Sequence, residues 1–71
     1  MERIRFVILA DEGCVEPSEL HKVLQTYGAR LDQDDRGDFV QPKPGRYLVL
    51  VLPEDRLKIE VLVENLGYLI N

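Results

Sequence analysis

Cys14 and His21 are the single cysteine and the single histidine of this 71-residue chain, and together they combine a nucleophile with a base. A catalytic pair of this kind also needs a third group that orients the imidazole, and all three groups must converge. Nothing else in the sequence supports such a pair, and Cys14 can equally be a small packed residue. We therefore predict that the chain has no catalytic residues and is not an enzyme.

The same stretch contains several side chains of the kinds that bind metal ions. They are Asp11, Glu12, Cys14, Glu16 and His21. Structural zinc sites place their ligands at short, fixed spacings such as Cys-x-x-Cys, and this chain has neither that spacing nor His-x-x-x-His. An acidic loop is more often solvated than metal-bound. We predict no metal ion and no cofactor.

The segment that carries these residues lies between an apolar strand and Pro17, which is typical of the first turn of a helix. The free N–H groups at a helix N-terminus favour an anionic group such as a carboxylate. Gly13 permits close approach of a ligand, and the neighbouring carboxylates suit an ammonium group. We predict ligand-binding residues at Asp11, Glu12, Gly13 and Cys14, with an amino acid as the leading ligand. The alternative is that this segment is only a connection.

The charge of the chain disfavours nucleic acid as a partner. Its formal net charge is −4, and its nine Lys and Arg residues are scattered along the sequence. Nucleic-acid-binding proteins draw most of their affinity from clustered basic residues that contact phosphates. The densest charge cluster here is acidic and consists of Asp32, Asp34, Asp35 and Asp38.

The elements that position these side chains follow from apolar periodicity. Residues 4–10 are rich in β-branched and aromatic side chains and predict a strand. Leu20, Val23, Leu24 and Tyr27 fall at i, i+3, i+4 and i+7, which predicts an amphipathic helix that begins at Pro17 and ends at Gly28.

The second half of the chain repeats this pattern. Residues 46–52 predict a second strong strand, which Pro53 ends, and the following helix opens at residues 54 and 55. Its apolar positions again fall at i, i+3, i+4 and i+7, with Gly67 closing the helix before a last strand at 68–70. These positions are Ile59, Leu62, Val63 and Leu66. The remaining strand lies at 29–33, at 39–40, or runs through both with a bend.

The two halves together give the order β-α-β-β-α-β, which is the split βαβ arrangement. Right-handed crossovers then place both helices on one face of a four-stranded antiparallel sheet. We therefore predict an α+β fold in a single domain that spans residues 1–71. A domain of this length has a small core and is marginally stable alone.

Both central strands carry apolar side chains on both faces, whereas a sheet with one wet face normally alternates apolar and polar residues. An exposed apolar patch of a few hundred Å² usually marks an interaction site. We predict an interface that covers one face, with a homodimer as the expected assembly; a monomer that tolerates the exposure is the alternative. The predicted interface residues are Phe6, Ile8, Tyr47, Val49 and Val51.

The sequence also predicts where the protein resides. No apolar run approaches the roughly 20 residues of a membrane span, and residues 1–5 lack the pattern of a signal peptide. A single cysteine cannot form an internal disulfide, which suits a reducing compartment. We predict a cytoplasmic protein that does not contact a membrane.

Nearly all of the chain resembles the ferredoxin-like regulatory modules, in particular the ACT domain and the related NIL domain found after methionine-importer ATPases. The matching segments are Arg-Ile-Arg-Phe at 3–6, Pro17 before the helix that ends in Tyr-Gly, Gly-Arg-Tyr-Leu-Val-Leu-Val-Leu-Pro-Glu-Asp at 45–55, and the stretch from Ile59 to Tyr68. The resemblance implies a ferredoxin-like β-α-β-β-α-β sandwich. Such modules bind amino acids at the interfaces between them, often as dimers, and regulate an attached enzyme or transporter. Asp11 and Gly13 match the acidic residue and the glycine of the ACT-type loop.

Two function classes remain open at this stage. The first is a small regulatory module that binds an amino acid as a homo-oligomer. The second is a non-catalytic interaction or assembly factor that uses an open sheet face or edge to bind itself or a larger protein. Fold alone does not distinguish them.

Overall fold

The computed structural model describes residues 2–71, in which four strands and two helices follow the order β-α-β-β-α-β that the apolar periodicity predicts. Both helices begin at or just after a proline, because the missing N–H of proline is no loss in the first turn. The elements are β1 Ile4–Ala10, α1 Pro17–Thr26, β2 Arg30–Leu31, β3 Arg46–Val51, a 3-10 turn Pro53–Asp55, α2 Arg56–Asn65 and β4 Tyr68–Ile70.

The second strand lies in the first of the predicted alternatives, residues 29–33, and residues 39–40 fold back against the end of that segment. β2 contains only two residues, and a single further bridge joins Gln33 to Phe39 beyond it. Between these two residues the side chain of Asp34 accepts hydrogen bonds from the N–H groups of Arg36 and Asp38, at 2.9 and 3.0 Å. An aspartate that captures backbone N–H groups in this way favours a turn over continued strand pairing.

The four strands form one sheet in the order β2-β3-β1-β4, and every neighbouring pair is antiparallel. The pairing of β1 with β3 is the longest and sets Phe6 opposite Val49 and Ile8 opposite Tyr47. The fold is therefore α+β, with a four-stranded antiparallel sheet and two helices, as the sequence predicts.

The buried side chains of both helices belong to a single core that includes one face of the sheet. From the helices come Leu20 and Leu24 of α1 and Ile59 and Val63 of α2, all fully buried. The sheet contributes every second side chain along its strands, and all of these point to one face. Both helices therefore cover the same face of the sheet. The side chains from the sheet are Phe6, Ile8, Leu31, Val49, Val51 and Tyr68.

The turn between α2 and β4 packs tightly against the loop that follows β1. The N–H of Val15 donates to the carbonyl of Leu66 at 3.1 Å, and the hydroxyl of Tyr68 donates to the carbonyl of Val15 at 2.6 Å. Gly67 has a φ of +96°, and a Cβ built on it would lie 2.6 Å from the Cα of Cys14. Only glycine fits this position without backbone movement.

We expect Gly67→Ala to destabilise the domain by about 3 kcal/mol, because left-handed strain adds to a backbone clash. Gly28→Ala is the matched control, since Gly28 has a φ of +82° but no heavy atom within 4 Å of a built Cβ. This control carries the strain alone and should cost about 1 kcal/mol. Urea unfolding at equilibrium measures both free energies, and equal losses would contradict the packing described for Gly67.

Candidate functional site

The predicted ligand-binding loop lies on the surface. Asp11, Glu12 and Gly13 are exposed, and Cys14 is half-buried. The carboxylate of Asp11 accepts a hydrogen bond from the N–H of Glu12 at 2.8 Å, and the carbonyl of Asp11 accepts one from the N–H of Cys14 at 3.1 Å. The loop is thus a turn held by its own polar groups.

Cys14 contributes to packing at the β4 edge of the sheet. Its backbone contacts Gly67, and its thiol lies close to the hydroxyl of Tyr68. Burial, together with this thiol, raises the pKa of Tyr68 well above its usual range, so the phenol remains a hydrogen-bond donor. The donor bonds to Val15 and ties the loop to β4.

His21 is engaged at the opposite edge of the sheet. Its Nδ1 accepts a hydrogen bond from the backbone N–H of Leu31 in β2 at 3.1 Å. Its ring meets the ring of Phe39 edge-on, with centroids 5.3 Å apart. Because β2 and β4 are the two outer strands, the structure holds His21 and Cys14 at opposite edges and does not bring them together as a pair. Within residues 2–71, no three His, Cys, Asp or Glu side chains converge to hold an ion.

The five residues predicted for the interface lie on the face that the helices cover. Phe6, Ile8, Val49 and Val51 are at most 6% exposed. Tyr47 is half-buried between the rings of Phe39 and Tyr68. These side chains are occupied within the protomer, because the helices need that face for their core. These residues are therefore not available to a partner in this structure, and the other face of the sheet is the one that no helix covers.

That other face, which we call the open face, has an apolar centre. Because strand side chains alternate, it presents Val7 and Leu9 of β1, Leu48 and Leu50 of β3, and Leu69 of β4. Leu69 is 48% exposed, and most of the others are half-buried although no helix packs on them. Leu50 is only 6% exposed yet lies outside the core cluster.

Arginines flank this apolar centre. The strand register places Arg5 and Arg30 on either side of Leu50, and sets Arg46 opposite Leu9. This register allows the long aliphatic stems of Arg5 and Arg30 to lie along Leu50 while their guanidinium groups reach solvent.

The three arginines of the open face have no carboxylate partner within the part of the chain that the structure describes. The ion pairs in residues 2–71 are Arg56–Glu60 and Lys58–Asp55, and both belong to α2 and the turn before it. The neighbouring Arg3 donates to the carbonyl of Gly28 at 2.8 Å. Asp32, which follows β2, is the acidic residue beside these cations, and its N–H donates to the carbonyl of Leu48.

Counting Lys and Arg along the chain missed this surface, because sequence distance hides what strand pairing brings together. The alternation along each strand nevertheless indicates this surface, because residues two apart in a strand lie on the same face. Arg5 therefore shares a face with Val7 and Leu9, and Arg46 shares a face with Leu48 and Leu50. Arginine at the strand ends indicates which of two apolar faces meets water.

Comparison of the chain with protein-family models, with curated proteins and with solved structures finds no match in any of the three. Residues 2–71 include no helix with the length and apolar character needed to cross a membrane.

The contact between His21 and β2 predicts a pH dependence of stability. Burial, and secondarily Arg30, lowers the pKa of His21 from its ordinary value of 6.5. The folded state therefore binds this proton less readily than the unfolded state. Neutral His21 therefore contributes its full stabilisation above pH 6.5. This stabilisation is lost as the pH falls through the lowered pKa of His21 in the folded state. Protonation also removes the acceptor at Nδ1.

We expect wild-type protein to lose stability between pH 7.5 and pH 5 more steeply than His21→Asn, measured as the free energy of urea unfolding at each pH. The amide oxygen of Asn offers an acceptor near the position of Nδ1 and does not titrate. The carboxylates contribute equally to both proteins, so the difference in slope reports His21. Parallel pH profiles would contradict this role of the imidazole.

Proposed function

We propose that the chain is a non-catalytic protein-interaction module that docks a polypeptide on its open face. The observation that carries the proposal is the apolar centre of this face, flanked by three arginines that have no carboxylate partner within residues 2–71. Protein interfaces are enriched in arginine and depleted in lysine. The three lysines of the chain lie elsewhere, at Lys22 in α1, Lys43 in a loop and Lys58 in α2.

We further propose that the fold is ferredoxin-like. The element order β-α-β-β-α-β supports this proposal, as does the sheet order, in which β1 and β3 are the central strands. An arrangement with both helices on one face leaves the second face of the sheet for a partner. We also propose a cytoplasmic setting, which the free thiol of Cys14 supports.

A photo-activatable amino acid at position 48, in the centre of the open face, tests the interaction. In the native host, we expect Leu48 replaced in this way to form a discrete cross-linked product on illumination. The matched control has the same amino acid at Lys22, which is exposed on α1. We expect no discrete product from the control, because its surroundings are polar.

The mass of the product then identifies the partner as a second copy of the chain or as another protein. Equal products from both positions, or none from position 48, would overturn the proposed use of the open face. Thermal melting of each labelled protein shows that the replacement leaves the domain folded.

A second candidate, which remains a prediction, is a regulatory module that binds an amino acid at the loop of Asp11, Glu12, Gly13 and Cys14. This loop is exposed at Gly13, where a built Cβ meets no heavy atom within 4 Å, a property that Gly13 shares with Gly28 and Gly37. The exposed carboxylates of Asp11 and Glu12 lie beside Gly13 and suit an ammonium group.

If this loop binds an amino acid, that ligand raises the melting temperature by about 6 °C or more at about ten times its dissociation constant. Gly13→Trp should abolish the shift, because the indole fills the space. Gly37→Trp is the matched control, since Gly37 has a similar φ and equally open surroundings in a different turn. A melting temperature unchanged by every amino acid would contradict this candidate.

A further inference from the structure

The outer side of α2 carries a second exposed apolar surface. Leu57 and Val61 lie one turn apart and are 78% and 58% exposed, although both are large apolar side chains. Glu60 and Glu64 complete the same stripe, at i+3 and i+7 from Leu57. We call these four residues the helix ridge.

Within residues 2–71, the helix ridge offers one unpaired carboxylate, that of Glu64, where the open face offers unpaired arginines. Glu64 has no cationic partner within 4 Å among the described residues, and the two cations of α2 are engaged inside the protomer. Arg56 lies 3.5 Å from Glu60, and Lys58 lies 4.0 Å from Asp55. The described part of the protein therefore has two exposed apolar surfaces whose unpaired charges are of opposite sign, Glu64 on the helix ridge and the arginines on the open face.

The two surfaces also lie on opposite sides of the molecule. α2 covers one face of the sheet with Ile59 and Val63, and it turns Leu57 and Val61 away from that face. The open face is on the far side of the same sheet. One copy can therefore bind a second copy on each side through complementary charges.

We propose that the open face of one copy binds the helix ridge of a second copy, head to tail. This inference rests on the proposed function and identifies the partner of the open face. Leu57 and Val61 of one copy pack on Val7 and Leu48 of the next. Glu64 lies among the arginines of the open face, where charge-assisted hydrogen bonds between guanidinium and carboxylate groups are strong.

Charge favours this arrangement over a two-fold dimer of open faces. A two-fold axis places the same patch on both partners. Two open faces would then bring six unpaired arginines together, with only Asp32 on each side to offset them. Like charges across an interface disfavour that pairing. In a head-to-tail contact each copy at the end still has one surface free. Further copies can therefore add until a ring closes or an open chain forms.

The dimensions agree with a modest interface. A ten-residue helix is about 15 Å long, and four strands span about 15 to 20 Å, so the helix ridge fits within the open face. An interface of this size is at the low end for specific complexes. We therefore expect weak, concentration-dependent association that salt weakens, because its charges are partly exposed.

Sedimentation of purified protein at rising concentration tests this proposal with two variants. Arg5→Glu with Arg46→Glu disables the open face, and Leu57→Gln with Val61→Gln disables the helix ridge without adding charge. Each variant alone should weaken association at least about tenfold. A mixture of the two should form a 1:1 dimer that grows no further, because each variant keeps the surface that the other needs.

Lys22→Glu with Lys43→Glu is the matched control for the open-face variant, since it makes the same change in net charge as that variant at exposed positions on neither surface. It should associate as the wild type does. Circular dichroism and thermal melting verify that each variant is folded, and any unfolded variant is replaced by its single substitution at Arg46 or Leu57. Raising salt from about 0.1 M to about 1 M, which shortens the screening length from about 10 Å to about 3 Å, should weaken the wild-type association severalfold.

Other results would overturn the proposal in distinguishable ways. Dimers that survive the ridge substitutions but not the face substitutions indicate a two-fold pairing of open faces. A wild-type monomer at all concentrations excludes a second copy and leaves the open face to another protein, which the cross-link at position 48 then reports. No cross-link there, together with a monomer, removes the proposed function as well.

Discussion

The antiparallel pairing of β1 with β3 decides every other feature of this molecule. It sets Phe6 opposite Val49 on the side that the helices cover, and Arg5 opposite Leu50 on the side that they leave open. Because strand side chains alternate with a period of two, a slip of one residue would move every apolar and charged side chain to the wrong face. The core and the candidate interaction surface are therefore two consequences of one register.

The helices and strands could be predicted from the sequence because apolar periodicity and proline act locally. β1 and β4 occupy the predicted residues, and α1 begins at the predicted proline. The choice of face could not be predicted in the same way. Val7 and Ile8 are equally apolar, so hydrophobicity alone does not say which of them meets the helices. Arg5 and Arg46 indicate the wet face within their own strands, whereas only strand pairing shows that they belong to one surface. The hydrogen bond between His21 and Leu31 could not be predicted from the sequence either, because the fold brings together two residues that are ten positions apart.

The edges of the sheet differ from its open face in what they offer a partner. An exposed strand edge presents unpaired backbone groups, and natural sheets shorten or cover such edges. β2 has only two residues, and the outward N–H of Leu31 donates a hydrogen bond to Nδ1 of His21. At the other edge, β4 has three residues, and the loop at Val15 is tied to it through Tyr68. The open face has no comparable cover, which favours the face over the edge as the binding surface.

Size explains why such a small domain leaves so much apolar surface uncovered. Two ten-residue helices are enough to cover one face of four short strands, and the chain has no third helix for the other face among residues 2–71. A domain of this length buries a modest fraction of its surface and is marginally stable alone. Binding of any partner to the folded state adds stability in proportion to the logarithm of its concentration. In a head-to-tail assembly an interior copy gains from both of its surfaces, whereas a terminal copy gains from one. In the proposed assembly folding and association would be coupled, and the apolar residues that a single copy leaves exposed would then contribute to its stability.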